Sequence, residues 1–194
     1  MSAEIELTLR GMEAPLAGRN DAMRRVQGEG LEAQFERLLD EFGPGLSRMA
    51  ASYEVLPQAR EDLLQDVRLA IWRALTNFRG ECSWRTFVYR IAHNRCLTHI
   101  WRRRTLPQQL EEAASETVDP SADPESSAVR RSQHANLMRA VRRLPLPYRQ
   151  VVILVLEDLP RAEIAAVLGT SESNVAVRLN RAYKLLRERL GGKA

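Results

Sequence analysis

Cysteine, aromatic side chains and long apolar runs are all scarce in this chain of 194 residues. The two cysteines, Cys82 and Cys96, are too few for a disulfide framework and indicate reduced thiols. The longest apolar run, 151–156, has six residues, whereas a membrane helix needs roughly twenty. The first ten residues carry Glu4, Glu6 and Arg10, which a signal peptide would not place there. We therefore expect a cytoplasmic protein without membrane insertion.

The charge divides the chain into four segments. Residues 1–30 carry a net charge of −1, 31–104 of +3, 105–128 of −6 and 129–194 of +8. The acidic segment contains three prolines and few apolar residues, so it predicts a flexible linker after a loosely ordered N-terminal extension. Elsewhere apolar residues recur at spacings of three and four. We predict an all-α fold of two small helical bundles, the first module (31–104) and the second module (129–194), that bind a polyanion on either side of the linker.

The second module contains the pattern of a helix-turn-helix. A short helix begins at Pro160 and ends at Gly169, a typical C-terminal cap. Ser171 or Ser173 can cap the next helix, whose inward stripe includes Val175 and Leu179. The opposite face is small and basic, which suits a DNA major groove better than a merely solvated surface: Ser173, Ala176, Val177, Asn180, Arg181, Lys184 and Arg187. Arg178 lies at the edge of the stripe, so it either braces the motif or contacts phosphate.

The first module has one helical face that does not suit DNA. Over residues 60–75 the apolar stripe leaves six residues outside: Asp62, Gln65, Asp66, Leu69, Trp72 and Arg73. Exposed Leu69 and Trp72 beside two carboxylates would repel DNA but have the composition of a protein interface. Single exposed apolar residues are common, and a surface without a partner is the alternative.

Rings and arginines alternate in the next stretch, residues 78–104. Phe78, Trp84 and Trp101 stand among seven arginines, including Arg79, and this mixture suits unstacked bases and a single-strand backbone. Phe87 and its neighbours are expected in the core instead. The loop 79–83 is a candidate pocket for an extruded base, and the Asn94 amide is able to pair with one.

Several motifs in register resemble an extracytoplasmic-function (group four) sigma factor of bacterial RNA polymerase. They are EDLLQDV at 61–67, FRG at 78–80, FVYRIAHN at 87–94, IAAVLG at 164–169 and VAVRLNRA at 175–182. The resemblance covers about residues 31–104 and 135–190. It implies that the chain binds core polymerase and directs promoter recognition and DNA melting, under the control of an anti-sigma factor.

The resemblance also implies a role for each surface. The 61–67 helix would dock on the β′ clamp helices through Asp62, Gln65, Asp66, Leu69 and Trp72, and the β flap is a second expected contact. The minus-ten element would be opened and held by Phe78, Arg79, Trp84 and Asn94. The minus-thirty-five element would meet Ser173, Asn174, Ala176, Val177, Arg178, Asn180, Arg181 and Lys184. The acidic linker would run toward the RNA exit channel.

Two other classes of function compete with this one. A stand-alone helix-turn-helix regulator would bind duplex DNA without polymerase, although we find no apolar seam for a dimer. A metalloprotein would use His93, Cys96 and His99, but steps of three spread these ligands over 120° of a helix, which is poor for closing a zinc site. No catalytic residue set is evident, so we expect neither an enzyme nor a metal or other cofactor.

Overall fold

The computed structural model describes residues 30–105 and 135–191, and every regular element in these two ranges is an α-helix. The seven helices are α1 Leu31–Tyr53, α2 Pro57–Leu75, α3 Trp84–Thr105, α4 135–142, α5 Leu146–Leu156, α6 Arg161–Leu168 and α7 Glu172–Gly191. Helices α1–α3 belong to the first module and α4–α7 to the second, so the all-α prediction is confirmed. The expectations for residues 1–29 and for the acidic segment from 106 onward lie outside the described residues. Within the described ranges, no helix is long and apolar enough to cross a membrane.

The first module is built around the predicted stripe of α2. Leu63, Leu64, Val67 and Ile71 are buried there, and α2 packs against both α1 and α3. Pro57 opens α2, where its missing N–H leaves no helical hydrogen bond unmade. The periodicity of the sequence was therefore enough to orient this helix.

Helix α1 contains three consecutive residues that do not favour a helix, Gly43, Pro44 and Gly45. Pro44 lies in its interior and has no N–H to donate to the carbonyl of Asp40, and the buried Gly45 follows directly. A helix-interior glycine costs roughly 1 kcal/mol relative to alanine. Gly45 lies in the middle of a 23-residue helix despite this cost, so helix formation does not explain why this residue is a glycine.

The helix-turn-helix of the second module forms as predicted. Gly169 adopts the left-handed conformation with φ of 63° and ends α6 by donating its N–H to Ala165. Ser171 begins α7, because its Oγ accepts the N–H of Asn174 at 3.2 Å. Val175 and Leu179 are buried together with Ala182 and Leu186, which confirms the inward stripe of α7.

The two modules are in direct contact with each other. Helix α3 of the first module packs along α6 of the second, and one apolar cluster runs through both. In α5 the consecutive residues 151–154 are all buried, although successive helical side chains point in different directions around the axis. The other helices of the second module cover one side of α5. On the opposite side, polar contacts at the two ends of α5 hold it on α1. The sequence predicted two bundles joined by a linker, and the direct interface between them is a feature that it did not predict.

Candidate functional site

A cleft opens where the loop after α2 leads into α3. It has a volume of about 570 Å³, and Gly80 turns its wall with a φ of 73°. Its lining residues are Asn77, Phe78, Arg79, Glu81, Cys82, Phe87 and Arg90.

Three aromatic rings pack against one another at this cleft. The ring centroid of Phe78 lies 3.9 Å from that of Trp84 and 4.6 Å from that of Phe87. The three side chains are half-buried, so they support one another and still present ring surface. With the exposed guanidinium groups of Arg79 and Arg90 at the rim, the cleft has the chemistry to stack a base and to hold a phosphate.

Asn94 does not line this cleft. It lies exposed in a second, smaller cleft of about 230 Å³ between α2 and α3, whose lining also includes Ala70, Arg95 and Thr98. Ten helical residues separate Asn94 from Trp84, which corresponds to roughly 15 Å along the axis. The structure thus brings Phe78, Arg79 and Trp84 together and places the Asn94 amide on another part of the same module.

The side chains expected on the outer face of α2 differ in their exposure. Asp62, Gln65 and Asp66 are exposed, and the Leu69 side chain is 46% exposed. Trp72 is instead half-buried, because its ring packs edge-on against Phe35 with a centroid distance of 5.1 Å. Trp72 therefore also fixes the start of α1, a role that the periodicity of α2 alone did not indicate.

The outer face of α7 is open as predicted. The exposed residues among those expected to meet DNA are Ser173, Asn174, Val177, Asn180, Arg181 and Lys184. Ala176 is half-buried at the margin of this face. Arg178 donates its Nε to Oδ1 of Asn174 at 2.9 Å, so in this structure it braces the first turns of the helix.

A buried carboxylate at the junction of the modules escaped the sequence analysis. The Glu157 side chain follows α5 and is 3% exposed, and it accepts Nε and Nη2 of Arg48 at 2.8 and 2.6 Å. The Tyr89 hydroxyl donates to the same carboxylate at 3.1 Å. Burial and the negative charge of Glu157 raise the pKa of Tyr89, and the hydrogen bond to Glu157 raises the pKa of Arg48.

Gly45 is explained by this cluster. A Cβ at position 45 would overlap with the Tyr89 hydroxyl and with the carboxylate of Glu157. Only glycine lets these two groups meet over α1. A glycine inside α1, directly after Pro44, was the one sequence signal that pointed to this contact.

Four more polar contacts cross the junction. Arg90 donates to the carbonyl of Ala166 at 3.1 Å, and Arg149 donates to that of Ser52 at 3.2 Å. The remaining two join the Ser83 hydroxyl to Glu163 at 3.1 Å and Arg85 to the carbonyl of Asp158 at 3.0 Å. Asp158 adopts a φ of 58°, a left-handed conformation that aspartate tolerates better than most residues.

In the described part of the chain, no three His, Cys, Asp or Glu side chains are arranged to hold an ion. His99 instead bonds to the buried Glu54 at 2.7 Å. Burial acts to raise the pKa of Glu54, but the hydrogen bonds from His99, the Leu56 N–H and Arg103 outweigh it and hold that pKa below its usual value. Burial raises the pKa of the Cys96 thiol to about 12, so this thiol stays protonated and unreactive.

Comparison with known proteins gives consistent matches over both modules. Residues 38–105 match the family model for Sigma-70 region 2, and residues 134–186 match a model for Sigma-70, region 4. The chain is 29% identical to the RNA polymerase sigma factor NccH of Alcaligenes xylosoxydans xylosoxydans, over 84% of this chain and 90% of NccH. It is 30% identical to the ECF RNA polymerase sigma factor SigF of Caulobacter vibrioides, over 95% of this chain and 92% of SigF. Its fold is similar to the structure of the sigma factor RpoE in complex with the anti-sigma factor NepR from Bartonella quintana, with a TM-score of 0.65 and 19% identity over 83% of this chain and 99% of that chain.

Proposed function

The chain belongs to the extracytoplasmic-function group of RNA polymerase sigma factors, and from this premise we propose how its surfaces divide the steps of transcription initiation. Members of this family bind core RNA polymerase and promoter DNA and are not enzymes. The domains in our proposal are a first module at 31–104, a linker at 105–128 and a second module at 129–194. Since the family acts on RNA polymerase, we place the protein in the cytoplasm.

The α2 face of the first module is the proposed contact for core polymerase. Asp62, Gln65, Asp66 and Leu69 supply it, and the β′ clamp helices are the proposed partner. The exposure of Leu69 on the same face as the carboxylates of Asp62 and Asp66 supports this assignment, because such a surface repels DNA and gains free energy by docking on protein. Trp72 contributes indirectly by packing on Phe35 and so positioning α1 against α2.

The aromatic cleft is the proposed site of strand opening at the minus-ten element. Phe78 and Arg79 line a cavity of about 570 Å³, which has room for a base, and Trp84 packs against Phe78 beside it. The single observation that carries this proposal is the stacked set of rings beside exposed guanidinium groups, since unpaired bases bind aromatic faces and their phosphates bind arginine. Asn94 would contact the same strand at a separate point, in the cleft between α2 and α3.

The outer face of α7 is the proposed reader of the minus-thirty-five element. Val177 is 48% exposed at its centre, where an apolar side chain suits a thymine methyl group. Asn180 can bond bidentately to adenine, and Arg181 and Lys184 can meet phosphates. Arg178 would hold Asn174 in place rather than contact DNA, because its guanidinium already bonds to that side chain.

An anti-sigma factor is the proposed regulator. RpoE of Bartonella quintana has a similar fold and was solved with the anti-sigma factor NepR, which supports a partner of the same class for this chain. The polymerase β flap is proposed as the contact of the second module. Both partners would reach the protein in the same compartment as the polymerase.

Transcription in vitro tests the proposed function. We expect the purified chain to produce promoter-specific transcripts only when core polymerase is added, and to bind the same promoter fragment weakly by itself. The fragment would come from genes whose transcripts rise when the protein is overexpressed. Tight binding of duplex DNA in the absence of core enzyme, with no transcripts in its presence, would favour a stand-alone regulator.

A further inference from the structure

Trp101 is the most exposed large apolar side chain in the described part of the chain. It is 66% exposed near the C-terminal end of α3, whereas Val55, Leu69 and Val177 are 45–48% exposed. Tryptophan is on average one of the more buried residue types, so an indole ring in solvent points to a contact surface. The functions proposed above for α2, α7 and the aromatic cleft do not use this ring.

Trp101 lies on the same side of α3 as Arg90 and Asn94. A helix turns by about 100° per residue, so residues 90, 94 and 101 fall within about 40° of one another around the axis. With a rise of about 1.5 Å per residue, Asn94 follows Arg90 by roughly 6 Å and Trp101 follows Asn94 by roughly 10 Å. Arg90 lines the aromatic cleft and Asn94 lines the smaller one. The Trp101 ring therefore continues a line that begins with the groups proposed to hold the opened strand.

Arginine side chains flank this line. Helix α3 contains six arginines and no aspartate or glutamate. Arg95 and Arg102 directly follow Asn94 and Trp101, so they share a neighbouring side of the helix, and both are exposed. A row of cations beside groups that contact bases is the composition of a surface that binds single-stranded DNA.

The charge around Trp101 distinguishes it from the other exposed apolar residue on a helix of the first module. Leu69 shares its face of α2 with Asp62 and Asp66, which repel DNA. The charged residues next to Trp101 along α3 are arginines, which attract the phosphate backbone. DNA is therefore a better partner for the Trp101 surface than the protein proposed to cover Leu69.

Two residues anchor the part of α3 that carries Trp101. His99 bonds to the buried Glu54 at 2.7 Å, and Arg103 bonds to the same carboxylate. They lie two positions before and after Trp101, which places them on the opposite side of the helix, about 200° around the axis. Because that side is held on the connection between α1 and α2, the indole ring points outward from a fixed helix and binding needs little further ordering.

We propose that Trp101 is a further DNA-binding residue of the first module, whose ring stacks on a base at the edge of the opened minus-ten segment while Arg95 and Arg102 bind adjacent phosphates. The inference rests on the proposed function of the aromatic cleft and of Asn94. It lengthens the bound strand by up to about three nucleotides, since the phosphates of one strand are about 3.4 Å apart along the axis of B-DNA. Stacking on an aromatic ring accepts every base. Trp101 therefore helps to set how far the opened segment extends and adds no sequence preference.

Three substitutions of Trp101 separate stacking from other contacts. Trp101→Phe keeps a ring, Trp101→Leu keeps an apolar side chain without a ring face, and Trp101→Ala removes both. Val55→Ala is the matched control, because Val55 is 45% exposed and lies in the connection between α1 and α2. Thermal unfolding of each variant checks that the fold is unchanged.

The measurement uses the full chain assembled with core polymerase and a labelled fork DNA. The fork is made from the promoter fragment of the transcription test, with the minus-ten element unpaired on each strand in turn and the adjoining segment paired. Fluorescence anisotropy gives the affinity for the fork, and competition gives the affinity for core polymerase. On the fork that the wild type binds more tightly, we expect Trp101→Ala and Trp101→Leu to bind about tenfold more weakly. Trp101→Phe should stay within about threefold of the wild type, Val55→Ala should match it, and the affinity for core polymerase should be unchanged in every variant.

Three results would overturn the assignment of Trp101. One is binding of the fork by Trp101→Ala within twofold of the wild type, and another is binding by Trp101→Leu as tight as that by Trp101→Phe. The third is an equal loss of affinity for core polymerase, which would assign the ring to a protein interface. Initiation by the wild-type chain tests the proposed function separately: a chain that initiates while Trp101→Ala binds the fork normally keeps that function and loses only this contact.

Discussion

Leu69 offers the sharpest test of the polymerase-binding face. Its side chain is 46% exposed, and it lies between exposed acidic and polar residues of α2. Full burial of a leucine side chain is worth about 1.5–3 kcal/mol, so covering the exposed half on docking should contribute about 1 kcal/mol. Leu69→Ala should therefore weaken the binding of core polymerase about fivefold.

Leu69→Glu should have a larger effect. It removes the same apolar contact and adds a carboxylate that must be desolvated without a partner, which costs at least about 1 kcal/mol more. The combined loss of about 2 kcal/mol corresponds to roughly thirtyfold in the dissociation constant. The fold should survive, because glutamate is nearly as good a helix former as leucine and the position faces solvent.

The assay is a competition measurement of affinity for core polymerase, with thermal unfolding as the check on folding. Val55→Glu is the matched control, since Val55 is 45% exposed but lies in the connection between α1 and α2 rather than on the α2 face. We expect this variant to keep wild-type affinity. The interface assignment is wrong if Leu69→Glu binds within twofold of the wild type, or if Val55→Glu loses as much.

Three further predictions concern the DNA-binding surfaces and the core. Asn180→Ala should weaken binding of polymerase holoenzyme to its promoter by about 1–3 kcal/mol, with the effect confined to one position of the minus-thirty-five element; a uniform loss on all sequences in gel-shift assays would speak against base readout. Asn94→Ala should reduce strand opening in permanganate footprints more than it reduces duplex binding, whereas equal losses would remove Asn94 from the melting step. His93 is buried, and burial lowers the pKa of its imidazole from 6.5. Below about pH 6.5 the unfolded chain therefore binds a proton at this imidazole that the native state does not bind. As the pH is lowered, the free energy of unfolding should fall by up to about 1.4 kcal/mol per pH unit. His93→Gln should flatten this slope between pH 7.5 and 5.5 in urea titrations, and an unchanged slope would contradict the assignment.

Local patterns were sufficient for α2, α6 and α7. Gly169 and Ser171 mark the end of α6 and the start of α7 because each satisfies backbone groups within four residues of itself. The inward stripes of α2 and α7 follow from a period of 3.6 residues and needed no partner to be recognised. The same period predicted the outer faces of α7 and α2, which consist of the residues that do not belong to the inward stripes.

Long-range contacts changed the interpretation of individual residues. Trp72 shares a face with Leu69 by periodicity, yet Phe35 covers its ring. Asn94 was grouped with the loop at 79–83 because both carry groups that suit a base, but the straight course of α3 holds them apart. In each case the helical period predicted the direction of the side chain on its own helix but not the residue that packs opposite it.

What the sequence determined by itself was the all-α class, the inward stripes of α2 and α7, the turn of the helix-turn-helix and the family, since these depend on residues a few positions apart or on motifs in order. The tertiary structure alone decided that the two modules meet, that a carboxylate 109 positions from Arg48 is its partner, and that Gly45 must be a glycine. The physical reason is that periodicity and capping residues show which side of a helix is apolar and which backbone groups at its ends need a partner. The residues that pack against that side, or bond across a junction, depend on how distant parts of the chain come together in three dimensions.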